Sequence, residues 1–172
     1  LAINRSEINN VRASFVLTNN ISVAKVSGTL KGLRSWKMDK YYFDTSIWLD
    51  FFEERNEPKL AKGRFIKKLI EKIIINKSKI VYSDVVKNEL LEIGYLYHEI
   101  DNLFLPFHRF LLYVNSNKKQ FGKAKDLSKK RKIPLLDALH AILARDNKAI
   151  MVTRDNHFNK LLDIVNYKNP EE

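Results

Sequence analysis

Short apolar runs alternate with amphipathic stretches along most of this chain, and the alternation starts abruptly near residue 40. Residues 41–44 read as a strand, followed by helices over 46–54 and 60–75, the second with Leu60, Ile66, Leu69, Ile70 and Ile73 at helical spacing. A strand is predicted at 79–82, then a helix over 84–94 that ends on a glycine. Residues 95–107 read as helical, 110–114 as a strand and 117–132 as a strongly basic helix. Pro134 opens an apolar helix over 135–146, at a position where its missing N–H costs nothing. A strand at 149–153, a short helix at 157–162 and a last strand at 164–166 complete the pattern. Repeated strand–helix alternation predicts an α/β fold, with a mostly parallel central sheet flanked by helices in three layers.

The first 37 residues break this pattern, holding one acidic residue, Glu7, against six basic ones, and Met38 then stands directly before the first apolar strand. Residues 1–37 are therefore expected to be an N-terminal extension of upstream-translated or vector-derived sequence, or a genuine short hairpin, and 38–172 the folded domain. Deleting the extension should leave folding intact, since every motif below lies after it.

Charge and composition narrow the function. The chain carries a formal +11, and 25 basic against 19 acidic residues remain without the extension. Such a balance suits a polyanionic partner, although many basic proteins have none. With no cysteine, thiolate zinc sites, disulfides and cysteine nucleophiles are excluded, and a cytoplasmic home is expected. No apolar run reaches the roughly 18 residues that a membrane span needs.

The informative polar residues are carboxylates. Asp44 and Asp155 each stand just past an apolar strand, and ligands of parallel sheets bind outside the carboxyl ends of the strands. Helix capping is the plainer account of Asp44, and Asp44-Thr45-Ser46 offers three capping candidates. Glu89 falls on the helical wheel between Val85, Val86 and Ile93, inside an apolar stripe where an ionised group needs a partner. Glu92 is the solvated comparison. Asp137 complements the macrodipole in the first turn of its helix, yet that helix is apolar nearly all round, so the side chain is expected to face the interior or a cleft. His140 shares its side and could touch a carboxylate or serve as a structural histidine.

Four carboxylates within about 5 Å would repel by roughly 3 kcal/mol per pair at an effective dielectric near 20. A cation makes such a cluster tolerable, and hard oxygen donors without cysteine point to Mg²⁺ or Mn²⁺ and phosphodiester chemistry. On that reading, neutralising Glu89 should relieve repulsion and stabilise the metal-free protein.

The segments Tyr42-Phe43-Asp44-Thr45-Ser46, Ser83 to Leu90, Ile133 to Ala141 and Val152-Thr153-Arg154-Asp155-Asn156-His157-Phe158 resemble, in order, the acidic motifs of PIN-domain nucleases, with nearest likeness to VapC-type toxins. The tail Asn169-Pro170-Glu171-Glu172 is also similar. The resemblance implies the PIN fold, a Mg²⁺- or Mn²⁺-dependent endoribonuclease, a homodimer and a small antitoxin whose tail blocks the site. It assigns catalytic and metal roles to Asp44, Glu89, Asp137 and Asp155, with Thr45, Ser46 and Thr153 beside the metal. Relatives often carry a further acidic residue where this chain has Asn156. RNA would rest on a basic rim that includes Lys125, Lys129 and Arg131, with Arg154 nearer the metal. An RNA-processing or DNA-directed nuclease on the same fold remains an alternative. A non-catalytic binding module would require a broken acidic set, and a phosphatase would require a phosphate loop that five glycines do not supply.

Overall fold

The computed structural model describes residues 39–55, 57 and 61–172. The expected extension and Leu60 of the second predicted helix lie outside the described residues.

Among the described residues five strands, β1 (Lys40–Phe43), β2 (Lys79–Ser83), β3 (Leu111–Val114), β4 (Ile150–Val152) and β5 (Tyr167–Lys168), form one sheet in the order β3-β2-β1-β4-β5. Every pairing is parallel. Among the described residues six helices connect them: α1 (Thr45–Phe52), α2 (Lys62–Ile75), α3 (Asp84–Glu92), α4 (Tyr97–Phe104), α5 (Lys118–Arg131) and α6 (Leu135–Asp146). The expected α/β architecture, with a parallel sheet between helices, is the one observed.

The chain steps outward from β1 through β2 to β3, then crosses back over the sheet through α5 and α6 to enter β4 on the other side of β1. Right-handed crossovers place the helices of these two halves on opposite faces. The reversal opens a crevice at the carboxyl ends of β1 and β4, the adjacent strands that precede Asp44 and Asp155. Phe43 pairs with Val152, and the Asp44 N–H donates to the Val152 carbonyl at 3.1 Å, so the two strand ends are level.

The core gathers around Trp48 on α1, which is fully buried against Phe43, Phe52 and Phe104 with ring centroids 4.7–5.4 Å apart. Gly63 lets the start of α2 press against the end of α1. A Cβ there would lie 2.8 Å from the Asp50 carbonyl oxygen, closer than a side chain tolerates. Gly94, at φ +105°, follows α3 as its expected stop.

Three expected elements shift. The helix over 95–107 is α4 followed by a 3₁₀ turn at Leu105–Phe107, because Pro106 cannot donate into a continuing α-helix. The short helix after β4 is a 3₁₀ segment, Asn156–Leu161. The last strand is β5 rather than 164–166, because the N–H groups of Ile164 and Val165 still bond to the Leu161 carbonyl and pairing resumes only where Met151 donates to Asn166.

Candidate active site

Asp44 both caps a helix and stands at the rim, so the two readings of it coincide. Its Oδ1 accepts the Thr45 N–H at 2.7 Å, while Oδ2 accepts the hydroxyls of Ser46 and Thr153, each at 3.0 Å. Thr153 carries the link across to the neighbouring strand end, where its Oγ1 also accepts the Asp155 N–H at 3.0 Å. Asp155 in turn caps the 3₁₀ segment through the His157 N–H at 2.8 Å. One hydroxyl thus fixes two of the predicted carboxylate segments relative to each other.

Glu89 comes from α3, whose Val85, Val86 and Leu90 are buried. Ile93, expected in the same stripe, is 53% exposed because it forms the C-cap. Thr45 Oγ1 donates to Glu89 Oε2, and His140 Nε2 lies 2.8 Å from the same oxygen and 3.8 Å from Asp44 Oδ1. Burial alone would push the Glu89 carboxyl upward, but the hydrogen bond and charge of His140, together with Thr45, hold it below the ordinary glutamate range.

His140 is fully buried on α6 and ties this pair to the sheet. Its Nδ1 is 2.7 Å from the Tyr42 hydroxyl, which is 2.6 Å from Ser83 Oγ. Protonated His140 matches every partner: Nε2–H donates to Glu89, Nδ1–H to Tyr42, and Tyr42 to Ser83. Burial works against the charge, but the hydrogen bond that His140 donates to Glu89 and the charges of Asp44, Glu89 and Asp137 raise the His140 pKa. The alternatives for this histidine therefore merge, since it is structural and also contacts a carboxylate. Its contact with Glu89 weighs against the expectation that neutralising Glu89 would stabilise the metal-free protein, because the histidine favours the charged form of the carboxylate.

Repulsion falls on Asp137 instead. Burial first, then the charge of Asp155 and more weakly that of Asp44, lift its pKa above the ordinary aspartate value, against the opposing pull of His157. Its Oδ2 accepts from His157 Nδ1 at 2.9 Å, and the same nitrogen is 3.3 Å from Asp155 Oδ1. One donor atom each from Asp137, Asp155 and His157 lie within 4.8 Å of one another.

The four carboxylates therefore occupy one edge in two linked groups, Asp44 with Glu89 and Asp137 with Asp155, joined through Thr153. Their side chains are 15, 23, 19 and 39% exposed, open enough for a small ion to enter. Among the described residues no lysine or arginine pairs with any of them; their ionic partners are His140 and His157. Oxygen donors, excess negative charge and no competing ammonium make a donor set that fits a hard divalent cation.

Two of the predicted basic contacts are otherwise engaged. Arg154 does not face the carboxylate cluster: its guanidinium bonds Asp50 on α1, Glu171 in the tail at 2.7 and 2.9 Å, and the Lys62 carbonyl at 3.4 Å. Asp50 is 6% exposed and burial pushes its carboxyl up, so the nearest guanidinium is drawn to it rather than to the rim. Arg131 bonds Asp163 at 2.6 Å and the Lys160 carbonyl at 3.1 Å. Lys125 and Lys129 are exposed on α5. Sequence reasoning passed over His157 and Asp50. A lone Asp within Ile47-Trp48-Leu49-Asp50-Phe51-Phe52 was the available signal for the second.

A family model described as PIN domain matches residues 41–162. Comparison with curated proteins gives no match. Among solved structures, VapBC2 from Rickettsia felis bound to a DNA fragment from their promoter aligns with TM-score 0.55 and 19% identity over 76% of this chain and 98% of that one. A toxin–antitoxin complex from Klebsiella pneumoniae gives 0.54 and 20% over 77% and 98%. FitAcB from Neisseria gonorrhoeae gives 0.53 and 18% over 76% and 97%. At these identities the likeness is one of fold. No helix among the described residues is long and apolar enough to cross a membrane.

Proposed function

The chain belongs to the PIN domain family of nucleases, and from that premise we propose that it is a Mg²⁺- or Mn²⁺-dependent endoribonuclease, the toxin of a toxin–antitoxin pair. The observation that carries this reading is the meeting of Asp44, Glu89, Asp137 and Asp155, from four separate segments, at one strand edge, where their partners among the described residues are histidines, hydroxyls and two capping backbone N–H groups.

Asp44, Asp137 and Asp155 would hold the cation. Glu89 uses Oε2 for both Thr45 and His140, leaving Oε1 for the cation or its water shell. When bound, the ion supplies Lewis acidity toward water and toward the charge developing on the phosphodiester. His140 keeps Glu89 ionised and oriented through the Tyr42–Ser83 chain, and Thr153 keeps Asp44 and Asp155 in register. Lys125 and Lys129 on α5 would meet RNA phosphates beyond the site, and single-stranded or looped RNA can bring its backbone down to a recessed edge more readily than duplex can.

The toxin assignment is supported by the likeness to the solved structure from Klebsiella pneumoniae, which is a toxin–antitoxin complex. A homodimer is supported by an exposed apolar face: Leu105 and Tyr113, 55 and 44% exposed, flank a shallow cavity beside the edge strand β3, with Leu96 and Tyr97 nearby in sequence at the start of α4.

Purified protein should cleave single-stranded RNA with Mg²⁺ or Mn²⁺ and stop with a chelator. Cleavage undiminished by excess chelator, with Asp44→Asn as the control for contaminating nuclease, would sink the mechanism. A short gene for a DNA-binding protein directly upstream would support the toxin assignment.

A further inference from the structure

We propose that His157 is a nitrogen donor to the cation of this site, so that the centre is a mixed nitrogen–oxygen site that prefers Mn²⁺ to Mg²⁺. This rests on the reading of the carboxylate edge as a cation site, and goes beyond it by adding a donor of a different kind.

The geometry singles out one atom. His157 Nδ1 stands 2.9 Å from Asp137 Oδ2 and 3.3 Å from Asp155 Oδ1, between one carboxylate carried by α6 and another carried by the segment that follows β4. Adjacent donors around an octahedral divalent ion with bonds near 2.1 Å lie about 3 Å apart. Both separations from His157 have that span, and all three donor atoms lie within 4.8 Å of one another, so one ion could be reached by all three. In the structure the Nδ1 hydrogen bonds to Asp137. With its hydrogen on Nε2 instead, the neutral ring offers the Nδ1 lone pair, and the ion replaces the proton between the same atoms.

The other histidine of the site cannot serve. Both nitrogens of His140 are committed, Nδ1 to Tyr42 and Nε2 to Glu89, and the ring is fully buried. His157 is exposed, and the N–H that anchors it to Asp155 belongs to the backbone, so its side chain can turn toward an ion without unmaking the cap. Chemistry then sets the preference. Mg²⁺ holds to oxygen donors and keeps much of its water, whereas affinity for an imidazole-containing site rises along the transition series that begins at Mn²⁺.

The test uses the full chain and the metals alone. Calorimetric titration with Mn²⁺ and with Mg²⁺ would be run on wild type, His157→Ala, His157→Asp and Asp137→Asn, with pulsed electron paramagnetic resonance of bound Mn²⁺ to detect a coordinated imidazole nitrogen. Wild type should show the ¹⁴N modulation. His157→Ala should lose it, with Mn²⁺ affinity falling about tenfold and Mg²⁺ affinity far less. His157→Asp should bind both ions but with the Mn²⁺ preference diminished. Modulation that persists in His157→Ala, or equal losses for the two ions, would overturn the assignment while leaving the cation site in place. Undiminished Mn²⁺ affinity in Asp137→Asn would overturn the underlying reading of the site as well.

Discussion

Two carboxylates of one edge are predicted to answer neutralisation in opposite senses, because their neighbours differ. Asp137 is pressed by Asp155 and Asp44 and its pKa is raised, so Asp137→Asn should stabilise the metal-free protein by about 1 kcal/mol after allowance for solvent screening. Glu89 is held by His140 and Thr45, so Glu89→Gln should destabilise it by roughly 1–2 kcal/mol. Denaturant unfolding in the presence of chelator measures both, and like signs for the two variants would show that the charge assignment is wrong. The same pair sets a pH dependence. A histidine pKa raised on folding contributes stability that is complete below the ordinary value of 6.5 and lost as pH rises through the folded value. A glutamate pKa lowered on folding contributes stability that is present above the ordinary value of 4.5 and lost as pH falls through the folded value. The contribution of the pair is therefore greatest between those limits. The stability difference between wild type and Glu89→Gln should be larger near pH ~6 than near pH ~8.5, and a difference independent of pH would remove the charge from His140.

At the level of elements, the site edge is braced from behind by Arg154. Its guanidinium joins α1 at Asp50, the start of α2 at the Lys62 carbonyl, the tail at Glu171 and its own segment between Thr153 and Asp155. Removing it strands a buried carboxylate, and Arg154→Ala should cost about 3 kcal/mol. Arg154→Lys should recover little, since one ammonium cannot span the carboxylates with the planar fork that Arg uses. Adding Asp50→Asn to Arg154→Ala should restore part of the loss. Strictly additive unfolding energies in that double-mutant cycle would show that the two residues act independently.

For the molecule as a whole, the sheet supplies a preformed edge, so an ion that binds only the folded chain must stabilise it. At about a hundredfold excess over the dissociation constant the gain is roughly 2.7 kcal/mol, which for a chain of this size raises Tm by roughly 5–10 °C. Thermal melts with Mn²⁺ should show that rise in wild type and largely lose it in Asp137→Asn. An equal rise in both would place the binding elsewhere.

Much of this was legible in the chain. The strand–helix alternation reported the parallel α/β class because strands covered on both faces must be apolar throughout, and helices packed on one side must be apolar at helical spacing. Carboxylates at strand ends, or inside an apolar stripe, were conspicuous for the same reason: burial makes charge costly, so it stands out where it is kept. What the chain could not reveal is which distant segments would be neighbours. The strand order that sets Asp44 beside Thr153 is a property of the crossover. So is the meeting of α3 with α6, which gives Glu89 a buried His140 and separates it from the repulsion expected of it. Arg154, read from sequence as a contact near the metal, is taken up by Asp50, and His157, two residues past Asp155, comes between two carboxylates. Charges interact through space over a few ångströms, and only the folded chain fixes those distances.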